Sequence, residues 1–272
     1  MTSRPRLLTD SATMLRRSLR RMRRYPSLTF FIAGLPVVFL LMFVYILGGT
    51  LGAGLGGGPG VPAGITDDRA GYAAYVMPGV LLLTIVAAAQ GTAISVAMDM
   101  TEGIIARFRT MAVARASVLA GHVIGSVIQT MLAIAVVFAA ALLIGFRPTT
   151  GPLEWLAAIC LLILTAVAVT WLSVGLGLVT KSVETASNLP MILILLIFLS
   201  SAFVPTGSMP DALAWVAEHQ PFTPIIETLR GLLLGTPIGD GGVIAVFWCL
   251  VISLVSAIWA LRLYERPPSA AT

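Results

Sequence analysis

Long apolar runs, broken only where charge is concentrated, decide what this chain can fold into. A transmembrane helix needs roughly 20 mostly apolar residues. Six stretches approach or exceed that length, at about 28–49, 72–98, 117–145, 153–179, 188–205 and 241–262. Only 11% of the residues are charged and 58% are hydrophobic, whereas a soluble domain carries about 25% charged residues. The expected fold is an all-α membrane protein of six transmembrane helices. Residues 1–27 precede the spans, 28–262 form the transmembrane domain and 263–272 a short tail. Pro36, Pro78 and Pro190 fall in or near span starts, where kinks and entry turns are tolerated. Cys160 and Cys249 lie in apolar runs and read as small hydrophobes, with no disulfide or metal-ligand spacing.

Lys and Arg set the orientation. With the N-terminus inside, 14 of the 17 basic residues fall on the inner side. The outer segments hold only Arg69, Arg147 and Arg230. Both termini are therefore expected in the cytosol, with the chain spanning the membrane several times.

Eight basic residues lie in the first 24 positions. Leu8, Ala12, Leu15, Leu19 and Met22 repeat at helical spacing. Arg16, Arg17, Arg20, Arg21, Arg23 and Arg24 fill the rest of the arc. Residues 8–24 thus predict an amphipathic helix lying in the membrane interface, with Leu15, Leu19 and Met22 toward the lipid. Arg16, Arg17, Arg20 and Arg21 would sit among phosphates. The apolar run directly behind this cluster favours a membrane surface over nucleic acid as its partner. That run also exceeds the roughly 7–15 residues of a signal-peptide core.

Residues 48–64 are glycine-rich and predict a flexible outer loop. Residues 206–240 are apolar but broken by Pro210, Pro221, Pro224 and Pro237. They fit two short helices, about 211–218 and 223–234, lying on the outer surface or dipping into the membrane as re-entrant pieces.

The most informative charges lie between the second and third runs. Asp99, Glu102, Arg107, Arg109 and Arg115 cannot sit in hydrocarbon, where each would cost at least ~2.5–3.5 kcal/mol. They must emerge on the inner face. Ile104, Ile105, Phe108 and Met111 are interleaved with them. A helix-compatible mixture of this kind is a docking surface for a soluble partner.

Other chemistry finds little support. The chain's one lysine, Lys181, ends Gly175-Leu-Gly-Leu-Val-Thr-Lys-Ser182, where Thr180 stands in place of the second glycine of a phosphate-binding loop. The chain is not expected to bind ATP. His122 and Ser126 are one helical turn apart, which suits a Ser–His pair in an intramembrane hydrolase. No carboxylate lies at a sequence spacing that would orient the histidine, so His122 reads instead as a polar residue near the inner end of the third span. His219 has no metal-ligand partner nearby in sequence. Ionisable groups fall at span ends rather than at the midplane, so energy for transport must come from elsewhere.

Three features together resemble the permease subunit of an ABC-2 type transporter, of the daunorubicin/doxorubicin-resistance exporter type. The first is the basic amphipathic helix. The second is the inner loop Asp99-Met-Thr-Glu102-Gly103-Ile-Ile-Ala-Arg107-Phe108-Arg109, continuing through Arg115 to Gly121. The third is Gln220-Pro-Phe-Thr-Pro224 followed by Glu227-Thr-Leu-Arg230-Gly231. Many relatives carry a proline after the acidic-basic stretch, where this chain has Met111-Ala-Val-Ala114. The resemblance implies a half-transporter: two permease chains, identical or different, with two copies of a separate cytosolic ATPase that carries ATP and Mg. No cofactor is then expected in this chain, which is not itself an enzyme. Asp99, Glu102, Arg107, Phe108, Arg109 and Arg115 would form the coupling helix on the ATPase. The cargo would be a hydrophobic or amphipathic drug, antibiotic or lipid. The rival reading is a non-transporting membrane anchor or scaffold for a cytosolic complex.

Overall fold

The computed structural model describes residues 26–48, 69–101, 115–180 and 182–265. Everything described is helix, turn or irregular chain. Among the described residues nine α-helices follow one another: α1 Pro26–Met42, α2 Arg69–Thr101, α3 Arg115–Ile144, α4 Pro152–Val179, α5 Val183–Asn188, α6 Met191–Phe198, α7 Asp211–His219, α8 Phe222–Leu234 and α9 Gly241–Glu265. In a medium that offers no hydrogen bonds, a helix satisfies its own backbone, which is why apolar composition here becomes helix. Among the described residues, four helices are long and apolar enough to cross a membrane: Ala70–Thr101, Leu119–Ile144, Pro152–Val179 and Gly241–Tyr264. Ile32–Leu47 and Val183–Phe198 are shorter apolar segments.

The long spans match the sequence expectation closely, while the expected helix over 188–205 does not form as one piece. α5 and α6 flank a turn at Leu189–Pro190, and the chain leaves helix after Phe198. Proline at 190 lacks the N–H that a continuous helix needs. At the other end the Ser200 hydroxyl donates to the Ile197 carbonyl and accepts from the Ala202 N–H. Serine here offers the backbone a local alternative to helix. The two short helices expected before the last span are present as α7 and α8.

α2 is the axis of the bundle. It packs against α1, α3, α4, α5 and α8 and is the most buried span. Backbones come close where side chains are small: a Cβ at Gly177 of α4 would lie 2.6 Å from the Ala93 carbonyl oxygen of α2. Close approach through small residues is how helices associate where lipid is as apolar as the side chains. α9 packs on α4 and is the least buried span, with Val243, Phe247, Leu250, Leu254 and Val255 exposed. On a soluble protein that stripe would be a large apolar patch, and in a bilayer it is an ordinary lipid-facing surface.

α1 ends in a π-helical turn, Phe43–Leu47. This turn brings Phe43 onto Phe203, with ring centroids 4.4 Å apart and nearly parallel. Phe198 stacks on Phe203 at 4.9 Å and meets Phe39 edge-on at 5.9 Å. The two short apolar segments, distant in sequence, are thus joined by an aromatic cluster.

Candidate functional site

Two polar constellations interrupt the apolar bundle, one at each end. The first lies at the end where α2 finishes (Thr101) and α3 begins (Arg115). Asp99, near the end of α2, is largely buried, and its Oδ2 stands 3.2 Å from Nε2 of His122 on α3. Further along the same helix pair, the Thr92 hydroxyl donates to the Ser126 hydroxyl oxygen at 2.6 Å. Thr130 then donates to the Ser126 carbonyl at 2.8 Å. The last bond lies within α3, and the Asp99–His122 and Thr92–Ser126 contacts are the ones that fix the register of α2 against α3.

This geometry corrects the expectation that no carboxylate orients His122. Asp99 does so, from 23 positions away in sequence and on another helix. The Ser–His reading gains nothing from it. Ser126 is engaged by Thr92, and no hydrogen bond joins His122 to Ser126 among the described residues. A nucleophile needs its base within hydrogen-bond reach, and this arrangement does not supply that.

Of the residues expected to couple to an ATPase, Asp99 is the one whose side chain is placed, and it is turned onto α3. Arg115 opens α3. Glu102, Arg107, Phe108 and Arg109 lie outside the described residues, as do Lys181 and the amphipathic stretch with Leu15, Arg16, Arg17, Leu19, Arg20, Arg21 and Met22. Beside this end, Ser182 caps α5 by accepting from the Thr185 N–H. The exposed Glu184 carboxyl is held below its ordinary pKa by its own backbone N–H and the Ser182 hydroxyl. Gln90 of α2 donates to the Ser187 carbonyl at 2.6 Å and ties α5 to the central helix.

The second constellation lies at the opposite end and is centred on Arg230 of α8. The sequence places this residue among the basic residues of the outer segments, and in the structure it is 3% exposed. Its Nη2 donates to the Ser201 carbonyl at 2.7 Å and to the Tyr75 carbonyl at 3.2 Å, and Nε also donates to Tyr75 at 3.3 Å. The guanidinium lies over the Tyr75 ring, 3.9 Å from its centroid. Tyr75 in turn donates its hydroxyl to the Ser201 carbonyl at 3.1 Å. A planar guanidinium suits this seat, because it gives several directed N–H groups and stacks on an aromatic face.

The rest of the Gln220–Arg230 segment serves the same seat. Gln220 donates to the Leu199 carbonyl at 2.8 Å, and Thr223 donates to the Ala217 carbonyl, which closes α7 onto α8. Gly79 of α2 lets the Ser200–Phe203 turn come in close, since a Cβ there would stand 2.6 Å from the Ala202 Cβ. α8 is buried on nearly every side by α2, α4 and α9, while α7 stays mostly exposed. At 13 residues, α8 is too short to cross a membrane and is held by protein instead.

A bundle of apolar spans, with the buried charged side chains Asp99 and Arg230 toward opposite ends and a short helix wedged into one of them, defines a polytopic α-helical membrane protein. Residues 10–234 match the family described as ABC-2 type transporter, and the chain belongs to that family. It is similar to the daunorubicin resistance ABC transporter permease protein DrrB1 of Streptomyces coeruleorubidus, 29% identical over 263 residues that cover 93% of this chain and 85% of the relative. It is also similar to the probable doxorubicin resistance ABC transporter permease protein DrrC of Mycobacterium tuberculosis, 23% identical over 232 residues that cover 85% of this chain and 79% of the relative. The chain is thus a multi-pass permease of the ABC-2 type, and the Gln220–Arg230 segment, within the matched residues, builds the seat of α8.

Proposed function

We propose that this permease forms the membrane half of a drug exporter, powered by a separate cytosolic ATPase that binds ATP and Mg. The observation that carries the reading is the family match over residues 10–234, which runs through the whole span bundle except its last helix. The resistance permeases it resembles suggest a hydrophobic or amphipathic cargo, namely a drug, an antibiotic or a lipid. The working unit would contain two permease chains and two ATPase copies.

The arrangement in the membrane follows from the charges. α1 with its π-helical extension and the α5–α6 pair complete six crossings, with both termini in the cytosol. Burial of Arg230 strengthens this orientation. With that residue withdrawn from the outer loops, Arg69 and Arg147 alone stand against 14 inner basic residues.

Coupling runs through residues 99–115. Glu102, Arg107 and Arg109 would pair with charges on the ATPase while Phe108 fills an apolar notch. Truncating one partner of a desolvated charge pair costs about 2–5 kcal/mol. The combined substitution of Glu102→Arg with Arg107→Glu is therefore expected to abolish co-purification of the ATPase, with graded losses for each change alone. If the doubly reversed permease still retains its ATPase and stimulates ATP hydrolysis, this segment is not the coupling element. The second inner segment, with Lys181 and Glu184, would then be the next candidate.

A further inference from the structure

We infer that Asp99 and His122 form a clamp that makes the inner ends of α2 and α3 a single lever, and that this clamp transmits the ATPase stroke into the bundle. The inference rests on the exporter reading and adds to it the residues that position the coupling segment.

Along the chain, residues 102–114 lie between the end of α2 at Thr101 and the start of α3 at Arg115. Force applied there moves the transporter only if the two helix ends move together. If they splay, the displacement is spent in separating them. The apolar packing near these ends, Val96 with Leu119 and Val123, is non-directional and offers no fixed register. The Asp99–His122 contact does, with Oδ2 and Nε2 3.2 Å apart and both side chains mostly shielded, at 13% and 23% exposure. Polar pairs inside a helix interface are best attested as devices that fix register. Ionisable side chains on membrane helices mark working parts. The Thr92–Ser126 hydrogen bond continues the register one step deeper. Neither Asp99 nor His122 is engaged by any other ion pair among the described residues. Asp99 is thus a positioning residue, distinct in role from Glu102, Arg107 and Arg109, which would touch the ATPase itself.

The test uses the full-length permease with its ATPase, after Cys160→Ala and Cys249→Ala remove the native thiols. Asp99→Cys and His122→Cys are introduced singly and together, and the paired variant is studied with and without a short thiol-specific cross-linker. Two quantities are read: ATPase retained on purification, and daunorubicin moved per ATP hydrolysed in proteoliposomes. Each single variant should retain the ATPase and lose about tenfold in transport per ATP, within the usual range of coupling between sites. The paired variant should be no worse than the singles, and cross-linking should restore it to within about twofold of the parent. A covalent bridge replaces the clamp but not the chemistry of an acid or an imidazole, so its rescue separates positioning from any other role. Single variants that transport like the parent overturn the inference, as does a cross-linked pair that stays uncoupled. A thiol-free parent that neither retains an ATPase nor moves daunorubicin overturns the exporter reading itself.

Discussion

At the scale of single residues, Arg230 carries the most concentrated set of interactions in the bundle. It joins three parts of the chain: α8, the Tyr75 turn of α2 and the Ser201 turn after α6. Interhelical hydrogen bonds in membranes contribute ~0.6 kcal/mol on average, with a maximum near 1.7. Loss of a whole guanidinium removes its three hydrogen bonds to the Tyr75 and Ser201 carbonyls and leaves the Ser201 carbonyl with the bond from the Tyr75 hydroxyl. Arg230→Ala should therefore lower thermal stability in detergent more than Tyr75→Leu, and Tyr75→Leu more than Tyr75→Phe. The phenylalanine keeps the ring beneath the cation and leaves the Ser201 carbonyl its bond from Nη2, so its cost should be near ~1 kcal/mol. Thermal unfolding followed by size-exclusion fluorescence reads the order directly. An Arg230→Ala protein as stable as the parent would show that the seat contributes nothing. The sequence marks the Gln220–Gly231 segment but not the burial or the partners of Arg230. Composition marks Arg230 as one more outer charge, and its partners lie 155 and 29 residues away. The same distance problem hid Asp99 from His122.

At the scale of elements, length and apolarity were enough to place the four long spans within a few residues, because hydrocarbon leaves the backbone no alternative to helix. The prolines between 210 and 237 were likewise enough to define α7 and α8. The segment 188–205 was misjudged as one helix because hydropathy does not register a serine that bonds to its own backbone or a proline that withholds an N–H. Its broken form raises a direct question, since α6 alone covers only 8 residues. If α5 and α6 together cross the bilayer, cysteines at Glu184 and Ser208 lie on opposite sides. An impermeant maleimide applied to intact cells should then label Ser208→Cys and leave Glu184→Cys unlabelled until the membrane is opened. Labelling of both from outside would make the α5–α6 pair a re-entrant piece and change the number of crossings.

At the scale of the whole molecule, the features arrange themselves along the membrane normal. The paired Asp99 and His122 lie at one end of the bundle, and the short helix α8, held by Arg230, lies at the other. Between them run spans whose packing is almost wholly apolar. In the proposed reading the energy comes from a separate ATPase, so the claim that the chain exports a compound is also a claim about a partner. The scaffold reading shares the partner but not the transport, and reconstitution separates them. Purified permease and its ATPase subunit are placed in lipid vesicles, and daunorubicin fluorescence is followed after ATP and Mg are added. The account predicts directional movement that needs both proteins and hydrolysable ATP and stops when either protein is omitted. A permease that binds its ATPase tightly, yet moves neither daunorubicin nor any member of a panel of hydrophobic compounds, would contradict it and leave an anchor in its place.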